Sequence, residues 1–549
     1  MKNIILLLFI ASNLMTHAQE KDWVLTTGKV EAYTGIVAAN GRIGILPEDK
    51  PFQTKSIILN NVYEKESELG VSRIISGMNF ANLDVFIDGE KITEQNVSDW
   101  KQSLNMKTAA FETSFTFKDK AKITYTIYAL RNIQYAGYID INILPLKNIK
   151  IKATGKISTP EEFLNPLSTF RILKDNEVTM PILQTVAKSK FGKHTIGTSA
   201  TFVWHAINSG REEQRPHLTH DKVSDYENHL SFEKELKKNE TYEFAWTGAE
   251  CSTQDFEDPQ TESERFVIFN LLTPRNDLID QHKKLWDDLW QGDIIIEGDV
   301  QSQLDVRLAL YHLYAFSRGD SNLSISPMGL SSQNYNGHIF WDTELWMFPP
   351  LLMLNQDIAR SLVNYRSDRI NKAKEKAINF GYKGAMFPWE SDDTGEEATP
   401  AWALTGTFEH HITADVAIAF WNYYLVEKSI YSYFILFSLT FFFAYLLNTF
   451  IEKPMRVRSF STLSSIRKIF FSSAFILLLS LGLSFKSHNG WDFRSGDDFR
   501  NSQFSTTSFH RKFYGGNGTP RRGYVKKGKT EIILIGDSHA RQYARGIKD

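Results

Sequence analysis

The chain has 549 residues, of which 42% are apolar and 23% charged, with a formal net charge of −2. That length holds two or three domains, and the balanced charge excludes the strongly basic surface of a nucleic-acid binder. One cysteine, Cys251, rules out an intrachain disulfide, so core burial alone must stabilise the fold.

At the N-terminus, Lys2, an apolar run from Ile4 to Ala11 and Thr16-His17-Ala18 have the layout of a secretory signal peptide over residues 1–18, which predicts export. Residues 19–272 read mainly as strands. FETSFTF (111–117), KITYTIYAL (122–130) and TFVWHAI (201–207) alternate or cluster apolar residues as strands do, and Asn40-Gly41 and Asp88-Gly89 mark turns. Short strands at this spacing predict a large antiparallel β-sandwich. Near residue 275 the period changes: His282, Trp286 and Trp290 recur at i, i+4 and i+8, predicting a helical linker over 273–300. From 301 onward Leu304, Leu308, Tyr311 and Ala315 form a helical stripe, as do Ile358, Leu362 and Ile370, and then Ile412, Val416 and Phe420.

The loops between these helices carry NYNGHIFWDTELW (334–346) and GAMFPWES (384–391), each with an aromatic beside a carboxylate: Trp341-Asp342 and Trp389-Glu390. An indole face packs on the C–H face of a pyranose, and the adjacent carboxylate accepts hydrogen bonds from hydroxyls. Taken alone, such a pair is more often a core aromatic beside a capping or solvated acid. Asp392, Asp393, Glu396 and Glu397 read as a solvated acidic loop, and His410 and His411 as the border of a helix. No metal-ligand spacing is present, and no cofactor is expected.

In chain order, ILNNVYE ending at Glu64, GVSRI (70–74), Trp100 to Lys107, IIIEGD (294–299), YNGHIFWDTELWMFPPLL, the stretch from Tyr365 to Glu397, and EHHITADVAIA resemble glycoside hydrolase family 65 over about residues 20 to 425. The resemblance implies a β-sandwich, a helical linker and an (α/α)6 barrel, here partial over 301–427. It also implies inverting cleavage of an α-glucosidic bond by water or phosphate. Trp341, Asp342, Trp389 and Glu390 match the family's glucose-subsite pairs, and Asp342 also matches a carboxylate needed for activity in the hydrolase branch. Glu344, Asp392 and Glu397 are further candidates. Inversion needs an attacker opposite the departing oxygen and a protonated acid. The family's acid lies in a later PP-D-E-Y-like motif not found here, which predicts a chain truncated before it.

Residues 429–450, SIYSYFILFSLTFFFAYLLNTF, carry no charge, and Ile469 to Phe485 is a second apolar run. They predict two transmembrane helices over 428–487, with Lys453, Arg456, Arg458, Arg467 and Lys468 in a cytoplasmic loop. FIEKPMRVR (450–458) resembles acyltransferase family 3. EIILIGDSHARQYARGI (531–547) resembles the first block of an SGNH hydrolase, with Ser538 as candidate nucleophile and residues 488–549 as a periplasmic linker and the start of that α/β domain. No His base follows Ser538.

The expectation is therefore a multidomain, exported and membrane-anchored chain that acts on an α-glucoside or other carbohydrate, with hydrolysis preferred to phosphorolysis. The alternatives are a membrane O-acyltransferase or SGNH fragment acting on cell-surface glycans, and a sugar-binding or inactive fusion.

Overall fold

A computed structural model describes residues 22–446, apart from 29–35, 69, 176–177, 205–214 and 404, together with residue 480. The chain divides into Met1–Tyr431 and Ser432–Asp549. The signal-peptide expectation over residues 1–18 lies outside the described residues.

Alternating apolar residues become strands because period-two patterning buries one face of each strand. Ala110–Phe117 and Ala121–Ala129 pair antiparallel, and their alternation of buried and part-exposed residues follows the sequence. Among the described residues, three antiparallel sheets form. A nine-stranded sheet runs from Val24–Thr27 to Leu164–Asp175, and a five-stranded sheet centres on Ile149–Ser158. A four-stranded sheet contains Thr54–Lys65 and Ser72–Ser76. Asp88 and Gly89, with φ of 51° and 81°, turn Leu83–Ile87 into Glu90–Lys91, the left-handed pair a tight hairpin requires.

Among the described residues the helices begin with Pro259–Leu272, before the change of period near 275, because Asp258 caps it and Pro259 opens it. Arg275–Leu289 follows and buries His282 and Trp286 fully. His282 Nε2 lies 2.9 Å from the Thr108 carbonyl, and Nδ1 accepts the Arg131 backbone N–H at 3.0 Å. A carbonyl cannot donate, so the ring is the neutral Nε2–H tautomer. The Trp286 ring stacks on Tyr311 at 5.4 Å, and the Tyr311 hydroxyl donates to the Val37 carbonyl at 2.8 Å. The sandwich and the helices therefore share one core.

The helix Val300–Ala315, capped by Asp299, is rotated from its expected stripe. Tyr311 and Ala315 of that stripe are buried, but Gln303, Arg307, Leu310 and Tyr314 face inward with them, while Leu304 and Leu308 are only partly buried. Arg307 decides this rotation: it pairs with Asp293 at 2.7 Å and lies 3.6 Å over the Trp23 ring. Gln356–Asp368 and Ile370–Asn379 follow, separated at Arg369, with Ile358 and Leu362 buried.

Membrane anchoring through residues 428–487 is corrected. His411–Leu446 is one helix whose first turns belong to the helical domain: Ile412 and Val416 are fully buried in a cluster with Ala373 and Phe387. Its apolar stretch thus continues a helix that starts in a protein core and carries Asp415 and Glu427. Among the described residues no helix is long and apolar enough to cross a membrane. The second expected span, its flanking basic loop and the SGNH segment over 488–549 lie outside the described residues, apart from residue 480.

Candidate functional site

Two loops build the site. The first enters through Tyr335, Asn336 and Gly337, all left-handed, with φ of 52°, 55° and 66°. Gly337 is demanded twice over, since a Cβ there would also lie 2.4 Å from Ile74 Cγ2. The sandwich clamps this turn. The Tyr63 hydroxyl donates to the Gly337 carbonyl, and Gln333 Nε2 donates to the Ile74 carbonyl at 2.6 Å.

The second loop, 380–400, is tied to the first by an isolated antiparallel bridge between Ile339 and Ser391. Trp341 lies two residues beyond one partner and Trp389 two residues before the other. Both indoles, half-buried, pack on the small cluster of Ala373, Phe387, Ile412 and Val416. Phe340 meets the Trp389 ring edge-on at 5.5 Å, and His411 meets Trp341 edge-on at 5.0 Å. Asp342 is partly exposed and Glu390 is buried. The two indoles singled out in the two loops thus share one cluster, whereas Ser538 lies outside the described residues.

The further carboxylates hold the loops together. Glu344 and Arg366, both nearly fully buried, form a two-pronged ion pair at 2.8 and 3.0 Å, and Arg366 also donates to the Phe340 carbonyl at 3.0 Å. Glu397 pairs with Lys376 and accepts from the Trp389 backbone N–H at 3.3 Å and from Thr407 Oγ1 at 2.9 Å.

The expected solvated acidic loop is corrected at Asp392, which is buried: its oxygens accept from Ser72 Oγ at 2.6 Å and from Thr394 N–H and Oγ1 at 2.9 and 2.7 Å. Burial opposes ionisation there, but these donors outweigh it and hold the carboxyl below its usual range. The neighbouring Asp393 is pushed up by burial and then by the Asp392 charge, although Lys193 of the sandwich reaches it at 3.1 Å. Glu396 alone stays exposed, paired with Lys372 at 2.8 Å.

His411 begins its helix, as the sequence reading expects, but is also gripped by Asp415 at 2.6 Å and Glu409 at 3.0 Å. Burial would lower its pKa; the two carboxylates outweigh that and raise it. Among the described residues no group of His, Cys, Asp and Glu could hold a metal ion.

Sequence reasoning passed over His338, which sits three residues before Trp341 and is fully buried. Its Nδ1 lies 2.8 Å from Glu390 Oε2, and its Nε2 lies 3.1 Å from Ser72 Oγ. The available signal was its place inside the aromatic-acid motif, but its partners are remote in sequence.

Comparison with known proteins agrees with this architecture. The N-terminal domain of glycosyl hydrolase family 65 matches residues 33–289, and the central catalytic domain of the same family matches residues 307–429. A kojibiose hydrolase of Flavobacterium johnsoniae is 42% identical over 407 residues, covering 74% of this chain and 59% of that protein. One from Mucilaginibacter mallensis is 38% identical over 429 residues, covering 78% of this chain and 63% of that protein. A kojibiose phosphorylase of Halothermothrix orenii is 30% identical over 403 residues, covering 64% of this chain and 49% of that protein. The chain thus spans about three-fifths of the length of the two hydrolases. A solved structure from the human microbiome, assigned as a kojibiose phosphorylase, shares the fold with a TM-score of 0.62 at 17% identity, covering 74% of this chain and 56% of that one.

Proposed function

Because this chain belongs to glycosyl hydrolase family 65, matched over residues 33–289 and 307–429, we propose that it carries the glucose-binding side of a site that cleaves α-glucoside disaccharides of the kojibiose type, by hydrolysis. The observation that supports the reading is the Ile339–Ser391 bridge between the two motif-bearing loops, with Trp341 and Trp389 packed on one apolar cluster. In this reading the indoles pack on the sugar's C–H faces, and Asp342 and Glu390 accept hydrogen bonds from its hydroxyls. Hydrolysis is preferred because the two relatives of 42% and 38% identity are kojibiose hydrolases.

Inversion also needs a proton donor on the leaving oxygen. Glu344, Asp392 and Glu397 are each engaged by Arg366, Ser72 with Thr394, and Lys376, so none of them is assigned that role.

Calorimetry of the purified chain with kojibiose, maltose and cellobiose tests the binding. Kojibiose should bind, cellobiose should not, and Asp342→Asn should weaken kojibiose about tenfold or more, as loss of a charge-assisted hydrogen bond would. A folded chain with no affinity for kojibiose would sink the reading. Glucose release without phosphate, against glucose phosphate formed only in its presence, separates hydrolysis from phosphorolysis.

A further inference from the structure

Glu390, proposed above as a sugar ligand, is one end of a hydrogen-bonded chain that crosses from the helical loops into the sandwich and back. Its Oε2 lies 2.8 Å from His338 Nδ1. His338 Nε2 lies 3.1 Å from Ser72 Oγ, on the strand Ser72–Ser76, and Ser72 Oγ lies 2.6 Å from Asp392 Oδ2. The contacts to Glu390 and Ser72 span 52 and 266 residues of sequence.

Proton counting fixes what these distances mean. A serine hydroxyl has one proton and an ionised carboxylate only accepts. The short contact to Asp392 uses the Ser72 proton, which leaves Ser72 Oγ as an acceptor toward the ring. Nε2 must then be N–H. Nδ1 faces the Glu390 carboxylate and must be N–H as well. A neutral ring would require a proton on Glu390 or Asp392, and Asp392 already accepts two hydrogen bonds from Thr394 that favour its ionised form. Tyr63 stacks on the ring at 6.0 Å with its hydroxyl turned to the Gly337 carbonyl. Tyr365 caps the Asp392 carbonyl at 2.6 Å, and Lys193 neutralises Asp393 beside it.

We propose that His338 is a buried imidazolium, held by Ser72 and Asp392, and that it positions the Glu390 carboxylate, so that a residue of the N-terminal sandwich governs a sugar-binding group of the helical domain. The proposal rests on the sugar-site reading only for the role of Glu390; the protonation of the ring stands on its own. A fixed cation at Oε2 orients the carboxylate without a water-exposed counter-ion. Ser72 and His338 are positioning residues and need not touch substrate.

Nitrogen NMR of the full chain labelled with 15N-histidine, with His338→Gln to assign the signal, reads the ring directly. At near-neutral pH both ring nitrogens should show the protonated signature. In Ser72→Ala the ring should lose the Nε2 proton, and kojibiose affinity should fall about tenfold; Ser72→Thr, which keeps the hydroxyl, should restore both. A neutral wild-type ring overturns the proposal, as does unchanged affinity in Ser72→Ala when the wild type binds kojibiose. A doubly protonated ring in a chain that binds no kojibiose refutes the functional reading and upholds the imidazolium.

Discussion

Ile339 donates its backbone N–H to the Ser391 carbonyl at 2.8 Å, and Ser391 returns the bond to Ile339 at 3.0 Å. Carried two residues on, this antiparallel register would set Trp341 opposite Trp389. One bridge between two irregular loops thus decides where both aromatic-acid pairs lie. The bridge is short, so side chains beneath it must keep the loops in place, and the ion pair of Glu344 with Arg366 lies there.

Breaking that pair should destabilise the protein more than it alters any one contact. Glu344→Gln leaves the Arg366 guanidinium buried with a weakened partner. Loss of one member of a buried pair costs about 3–5 kcal/mol when the other charge is stranded. The urea midpoint should fall accordingly, and the double variant Glu344→Gln/Arg366→Met should recover part of the loss.

Gly406 lies against the Trp389 ring. A Cβ there would sit 2.0 Å from Trp389 Cε3, and the neighbouring ring atoms are no further than 2.6 Å. In Gly406→Ala the indole must move, at a cost of about 1–3 kcal/mol as an overpacked site. Kojibiose affinity should drop about tenfold while the circular dichroism spectrum is unchanged. Unaltered affinity would show that the Trp389 ring is not a sugar contact.

His282 is pushed by burial from its ordinary 6.5 down to about 4, as its neutral tautomer requires. The unfolded chain takes up a proton near 6.5 and the folded chain does not, so its contribution is present above that pH and is lost as pH falls toward 4. The contribution is roughly 3 kcal/mol. Denaturation midpoints measured across this window should fall with pH, and His282→Gln should show a shallower fall.

Glu250 behaves in the opposite sense. It is fully buried, its Oε1 accepts the Met78 N–H at 2.6 Å, and Oε2 has no hydrogen-bond partner among the described residues. Burial raises its pKa from 4.5 to about 8. The folded state keeps a proton that the unfolded state loses, so stability is full below 4.5 and declines as pH rises through 8, by an amount on the order of 5 kcal/mol. Glu250→Gln should flatten that decline, and the gap from wild type should widen from acid to alkaline pH.

Strands such as Ala110–Phe117 were legible because alternation is a local property of consecutive residues. The helices carrying His282 with Trp286, and Ile358 with Leu362, were legible for the same reason at a period of 3.6. The helix Val300–Ala315 was legible as a helix but not in its orientation. Its buried face includes Arg307, whose Asp293 and Trp23 partners come from outside the helix. The apolar stretch after residue 429 read as a membrane span because composition does not record what precedes it. In the structure it extends a helix rooted in the core by Ile412 and Val416.

By itself the sequence determined the sandwich, the helices after it and the two aromatic-acid motifs, because spacing and residue type specify local faces and the chemistry a loop can offer. Only the tertiary structure decided which partners the acids around the two motifs find. Glu344, Asp392 and Glu397 are neighbours of the site in sequence, yet Arg366, Ser72 and Lys376 engage them. His338 gained its role from Ser72, 266 residues away. Burial makes those pairings obligatory, since a charge withdrawn from water must find a partner wherever packing brings one, and packing distance has no counterpart in sequence spacing.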